Sequence, residues 1–229
     1  MRRIERPSPN HDSRNEGGRD GAAIDMLVLH YTGMASAEAA LDRLCDPAAK
    51  VSAHYTIAED GTVYAMVPED RRAWHAGVAH WAGASDINGR SIGIELINPG
   101  HDFGYRAFAE AQIAALIPLC HSILVRHPIP SARVLGHSDV APARKQDPGE
   151  LFPWARLAKA GIGLWPQKGQ STLGPEALIR FGYDPATPED KAIAAFQRHF
   201  RPRKLDGVWD EECGSVLAGL LELHPASAV

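Results

Sequence analysis

Residues 135–154, LGHSDVAPARKQDPGELFPW, place His137, Lys145 and Asp147 on one stretch broken by Pro142, Pro148 and Gly149. An imidazole and a carboxylate are metal ligands, and an ammonium beside them is a fixed positive charge. A further imidazole, His30, lies near the end of the apolar run IDMLVLHYT at 24–32, and Glu95 sits within SIGIELIN at 91–98. His30, His137 and Asp147 could share one metal ion if the strands that carry the histidines are neighbours in a sheet. Two imidazoles and one carboxylate suit zinc and leave a fourth position for water, which separates a catalytic site from a closed structural one. Lys145 would aim its charge at whatever that ion polarises, and Glu95 would take the proton of the bound water. Taken singly, each of these residues has a plainer reading, because most histidines in a folded domain are hydrogen-bonded core or surface groups. His11, His101, His121, His127, His199 and His224 are left in that category.

The elements that must position these groups follow from local pattern. The run at 24–32 is short and rich in branched aliphatics, as expected of a buried central strand. Residues 36–45 open on Ser36, a good N-cap, and read as a helix. HYTIAEDGTVYAMV at 54–67 reads as a hairpin about Glu59-Asp60-Gly61, and 91–98 as a further strand between turn residues. Apolar positions 109, 113, 116, 117, 120, 123 and 124 predict the longest helix over about 105–127, with a bend at Pro118. A short strand at 133–137 leads into the chemical loop, and a helix at 152–161 ends at glycine. The alternation of strands and helices makes the class α/β.

Residues 1–20 lack periodicity and are expected to form a mobile arm. The Gly- and Pro-bearing stretch 162–173 is expected to be a linker. Beyond it, amphipathic segments at 175–182, 188–200 and 210–223 predict a small three-helix domain with Phe196 and Trp209 in its core.

Composition narrows the function. With 229 residues of which 45% are hydrophobic, the chain can bury a sizeable core. A formal charge of −4 with no dense basic run argues against nucleic acid as partner. The three cysteines are far apart and without a paired motif, so they are expected to be reduced and buried. No apolar stretch at the start resembles a secretion signal, which makes the cytoplasm the expected compartment and the periplasm or cell envelope the alternative. The most apolar window, 107–125, is interrupted by Glu110, Gln112, Pro118 and His121 and is not a membrane span. A monomer is expected.

The ordered segments VLHYT, VSAHYTIAEDGTVYAMV, AWHAG, SIGIEL and GHSDVAPARKQDPG resemble the zinc-dependent N-acetylmuramoyl-L-alanine amidases of the amidase-2 group, relatives of animal peptidoglycan recognition proteins. The likeness spans about 21–161 and implies a mixed central β-sheet flanked by helices. It implies zinc held by His30, His137 and Asp147, Glu95 as the catalytic carboxylate and Lys145 as the oxyanion-stabilising cation. Some relatives carry a catalytic tyrosine just before the histidine of the second strand, where this chain has Ala53 before His54. Residues 172–223 resemble the three-helix peptidoglycan-binding domain often fused to cell-wall hydrolases, so the domains divide as 21–161, 162–173 and 174–224. The implied reaction is hydrolysis of the lactyl–L-alanine amide in peptidoglycan or anhydromuropeptides. Trp74, His75 and Trp81, with Arg71 and Arg72, are expected to line the substrate groove, and His54 and Asn88 are counted with them. Two other readings stay open, a non-cleaving peptidoglycan-recognition protein and a zinc D-alanyl carboxypeptidase.

Overall fold

The computed structural model describes residues 2–14 and 23–223. In chain order its elements are β1 (Arg3–Glu5), β2 (His11–Ser13), β3 (Met26–Tyr31), α1 (Ala37–Cys45), β4 (Tyr55–Ile57), β5 (Val63–Ala65), β6 (Arg71–Ala73), α2 (Ile87–Arg90) and β7 (Ser91–Leu96). There follow α3 (Gly100–Phe103), α4 (Glu110–Arg126), β8 (Val134–Gly136), α5 (His137–Val140), α6 (Trp154–Lys159), α7 (Leu178–Phe181), α8 (Glu189–Phe200) and α9 (Glu211–Leu223). The main sheet has the order β1-β5-β4-β7-β3-β8, with β4, β7, β3 and β8 parallel and β5 antiparallel to β4, while β2 and β6 form a separate antiparallel pair. This is the mixed α/β architecture expected.

Alternation along the central strands sorts their side chains onto two faces. Leu27 and Leu29 of β3 join Ile92, Ile94 and Leu96 of β7 in a cluster with α4 and α6. Met26 and Val28 face the other way, into a second cluster that includes Leu135, Trp81, Phe181, Phe196 and Leu217. His30 shares the parity of Met26 and Val28, and Glu95 alternates with Ile94 and Leu96, so both belong to this second face. The helix after β3 begins as expected, with Ser36 Oγ accepting from Ala39 N at 3.2 Å. The long helix starts at Glu110 rather than near 105, because Asn98 Nδ2 donates to Arg106 O at 2.8 Å and holds the preceding residues as a loop. Cys120 and Cys213 are free and buried as expected, whereas Cys45 is only partly buried.

Two expectations about organisation are corrected. The amino-terminal residues are not a free arm: β1 pairs in parallel with β5, β2 pairs with β6, and Asn10 Nδ2 donates to Asp46 O at 2.8 Å and Val51 O at 2.9 Å. The pairing runs through backbone and short polar side chains, which leave no hydrophobic period to detect; residues 1 and 15–20 of that expectation lie outside the described residues. The stretch 162–173 is not a spacer either. Gly169 N donates to Ser215 O at 2.9 Å, and a Cβ on Gly219 would stand 2.1 Å from Gln167 O. Its glycines permit a close strap along α9 rather than freedom.

The three expected C-terminal helical segments form, but they share their core with the sheet. Trp81, 1% exposed, meets Phe181 and Tyr183 edge-on at 5.7 Å and 5.0 Å between ring centroids, and Ala82 N donates to Gly182 O at 2.8 Å. Asp139 of α5 accepts from Gly136 N at 2.7 Å, from Tyr183 Oη at 2.9 Å and from His199 Nδ1 at 2.7 Å, all of them buried. The C-terminal helices thereby hold the turn that begins with His137. Trp81→Ala is expected to lower unfolding free energy by about 3–5 kcal/mol in denaturant titration, the cost of a large cavity in a shared core. A loss near zero would mean that the two regions do not support each other.

Candidate metal centre and catalytic cavity

β3 lies between β7 and β8, and that adjacency assembles the site. His30 pairs in register with Glu95 on one side, and Leu29 pairs with Gly136, the residue before His137, on the other. His30 Nδ1 is 3.0 Å from His137 Nδ1, and each of these nitrogens is 3.0 Å from Asp147 Oδ2. His30, His137 and Asp147 are 1%, 3% and 6% exposed and form a group able to hold a metal ion.

The donor set fits a small divalent ion. Three atoms with lone pairs converge at the spacing of neighbouring ligands on one centre, and each imidazole turns its other nitrogen to a separate partner. The loop that returns Asp147 is fixed locally: Ser138 N donates to Asp147 O at 2.9 Å, and Tyr105 Oη donates to Pro148 O at 2.8 Å. A Cβ on Gly136 would stand 2.8 Å from Pro148 Cδ, and one on Gly149, whose φ is +87°, would stand 2.3 Å from Tyr105 Oη. Glycine before the histidine and after the proline is what lets the loop close over the strand end.

Electrostatics separates the two carboxyls. Burial alone would raise the pKa of Asp147, but His137 and His30 outweigh it and hold the group well below the usual carboxylate range. Glu95 is pushed up to about 8, by burial first and by the Asp147 charge second, with Lys145 acting in the opposite sense. Its Oε2 is enclosed and has no hydrogen-bond partner among the described residues. Burial also lowers His30 to about 4, so its imidazole is neutral near pH 7 and free to ligate. One neutral carboxyl capable of acid–base work thus faces an ionised carboxylate suited to ligation.

These groups open on a cavity of about 340 Å³ lined by Trp74, His75, Glu95, His137, Lys145 and Asp147 among others. Five residues assigned to the groove do not line it. Trp81 is core under the C-terminal helices, and Arg72 is bound by Asp12 and Asp86 at 3.0 Å each. Arg71 donates to His11 Nδ1 at 3.3 Å on the exposed side of β6. His54 is fully buried, with Gly93 N donating to its Nδ1 at 2.9 Å, and Asn88 Oδ1 accepts from the amides of His75 and Ala76. Trp74 and His75 do reach the cavity, which leaves the groove smaller than expected.

Residues that sequence reasoning missed also line it: Tyr31, Arg43, His101, Asp102 and Arg144. Tyr31 and His101 touch, Oη to Nδ1 at 2.9 Å. Three of these positions follow a usable signal, since ligands bind beyond the carboxyl ends of parallel strands. Tyr31 ends β3, and His101 and Asp102 stand just past β7.

Fold and site define an α/β enzyme equipped to hydrolyse a polar bond. Residues 20–150, more than half of the chain, match the family model described as N-acetylmuramoyl-L-alanine amidase. The chain belongs to that family. It is 38% identical to the amidase AmiD of Escherichia coli K12, over 96% of this chain and 91% of that protein. To the 1,6-anhydro-N-acetylmuramyl-L-alanine amidase AmpD of Citrobacter freundii it is 36% identical, over 66% of this chain and 86% of the relative. Its fold is similar to that of E. coli AmiD in complex with anhydro-N-acetylmuramic acid-L-Ala-D-gamma-Glu-L-Lys, with TM-score 0.80, 36% identity and coverage of 91% and 93% of the two chains. AMPDH3 of Pseudomonas aeruginosa with an anhydromuramic pentapeptide gives TM-score 0.81, 35% identity and coverage of 91% and 96%. Among the described residues no helix is long and apolar enough to cross a membrane.

The elevated Glu95 pKa has a stability signature. From about 4.5 up to about 8 the unfolded chain has lost a proton that the folded chain keeps. The contribution of this group to stability therefore falls as pH rises through that window. Metal-free Glu95→Gln, relative to the metal-free unaltered chain, is expected to gain stability progressively across it in denaturant titrations. A difference that does not change with pH would show that Glu95 ionises normally.

Proposed function

We propose that the chain is a zinc-dependent N-acetylmuramoyl-L-alanine amidase that cleaves the amide between the lactyl group and L-alanine of anhydromuropeptides. The observation that carries this reading is a burial-raised carboxyl at Glu95, its Oε2 without a partner among the described residues, in one cavity with His137 and Asp147 and next to the donor group they form with His30. Those three residues would hold the ion. When bound, zinc supplies Lewis acidity, which polarises a carbonyl and makes water acidic near pH 7.

The chain's own groups do the rest. A carboxyl titrating near neutrality can accept a proton and return it within one turnover. In its ionised form, the fraction that a group titrating at about 8 keeps at neutral pH, Glu95 takes the proton of the attacking water as the water oxygen bonds to the lactyl carbonyl carbon. It then gives that proton to the alanine nitrogen as the carbon–nitrogen bond breaks, leaving a lactyl carboxyl and a free amino terminus. The Lys145 ammonium, on the cavity wall, donates to the oxygen where negative charge develops. Substrate class is supported by the anhydromuramic peptides in the complexes of AmiD and AMPDH3. The likeness of residues 172–223 to peptidoglycan-binding helices supports a further contact with glycan, beside their role in the core.

Incubation with anhydromuramoyl-tripeptide, read by mass spectrometry, is expected to give free tripeptide and the anhydromuramoyl acid. Release of D-alanine from a longer stem with the lactyl amide intact would overturn the reading. A chelator is expected to abolish turnover and added zinc to restore it. Glu95→Gln should keep zinc and lose nearly all activity, whereas Lys145→Ala should lower kcat by about 10²–10³-fold.

A further inference from the structure

His30 and His137 both present Nδ1 to the donor cluster, which leaves each Nε2 to bond outward. The two outward partners are consecutive residues. His30 Nε2 lies 3.1 Å from His75 Nδ1, and His137 Nε2 donates to Ala76 O at 3.0 Å. Neither partner is a carboxylate, although carboxylates are common in that place.

The direction of each proton follows from the chain of contacts. An imidazole that ligates through Nδ1 keeps its proton on Nε2, so His30 must donate to His75 Nδ1. His75 is 8% exposed and lies between His30 and Ser91. A ring that accepts at Nδ1 carries its proton on Nε2, which lies 3.2 Å from Ser91 Oγ. The Ser91 hydroxyl is committed in turn to Ile87 O at 2.6 Å and can only accept from His75. The relay runs one way, from His30 through His75 and Ser91 to a backbone carbonyl.

Its parts are held in place independently of any ion. Asn88 Oδ1 accepts from His75 N at 3.1 Å and from Ala76 N at 2.8 Å, which fixes the backbone of the two residues that serve the imidazoles. Arg144 Nη2 donates to Ala76 O at 2.7 Å from the other side. A Cβ on Gly93 would stand 2.4 Å from His75 Cγ, so a glycine in the middle of β7 is the space into which the His75 ring fits. We propose that His75 is a positioning residue that fixes the tautomer and ring direction of His30, and that Asn88, by holding the His75–Ala76 peptide, sets the outer partners of both imidazoles together. The proposal rests on the zinc reading given above.

The test compares the full chain with His75→Asn, whose amide oxygen falls near the place of Nδ1, and His75→Leu, which has no acceptor. Zinc affinity by competition with a chromophoric chelator is expected to fall about 10–100-fold in His75→Leu and to stay near the original in His75→Asn. The metal-free melting temperatures of the two variants should match. In the zinc-loaded unaltered protein, nitrogen-15 NMR is expected to find the proton on Nε2 of both His30 and His75. If the unaltered chain binds zinc and His75→Leu binds it as tightly, or both variants weaken alike, the zinc reading stands and the positioning role falls. A proton on Nδ1 of His75 overturns the relay even if the Leu variant does not fold. If the unaltered chain binds no zinc, the zinc reading fails and the positioning role with it.

Discussion

The site depends on the register of one strand. β3 is hydrogen-bonded on both sides, so the pairing of His30 with Glu95 and of Leu29 with Gly136 is fixed by backbone contacts on either flank. A slip of one residue would turn His30 onto the α4 face and Leu29 into the cavity. Parallel pairing puts the carboxyl ends of β3, β7 and β8 at one level, and three chemical side chains therefore arrive together from sequence positions far apart. Asp147 comes instead from a loop, with Lys145 two residues before it, and that loop is pinned to α5 by Ser138 and to Tyr105 through Pro148.

Assembling charge in a nearly dry place is costly, and the structure meets the cost in two ways. Asp147 keeps its charge because two imidazoles face it, while Glu95, with Asp147 beside it and Oε2 without a partner, holds its proton instead. The second polar knot, Asp139 with Tyr183 and His199, lies two residues past His137 in the chain. Asp139 there has its lone pairs occupied by a backbone amide, a phenol and an imidazole, so the turn carrying His137 is fastened rather than merely buried. Hydrophobic clusters on both faces of the sheet provide the stability against which this polar arrangement is set.

Much of this was legible in the sequence. The run at 24–32, the hairpin, the strand with Glu95 and the three C-terminal helices all carry a clear period or cap, and each formed within a few residues of its expected bounds. His30, His137, Asp147, Glu95 and Lys145 could be singled out because together their types suit one metal-assisted hydrolysis and their segments match a family pattern. The groove was harder. Trp81, Arg72 and Asn88 are as polar or aromatic as a binding residue would be, and what makes them structural is a partner distant in sequence: Phe181, Asp12 and the His75–Ala76 amides. The strands β1 and β2 escaped for a related reason, since three-residue pairings are decided by the neighbour and not by the segment itself.

Glycine-rich composition was the most misleading signal, and the reason bears on how the chain is divided. Gly169, Gly214 and Gly219 mark contacts in which a methyl group would collide with backbone of the 167–173 strap or of α9. Flexibility and close approach leave the same trace in composition, and only the partner tells them apart. Once the strap is in place, removing the C-terminal helices would uncover Met26, Val28, Leu135 and Trp81 and strip Asp139 of two of its three donors. Each large side chain exposed costs about 1.5–3 kcal/mol, and the turn carrying His137 loses two of the bonds that fasten it. The family match ends at residue 150, before the helices that share a core with Trp81 and Leu135. In this chain the helices after residue 174 cover the Met26 and Val28 face of the sheet, and any partition that treats them as an appendage cuts through the core that holds His137 in place.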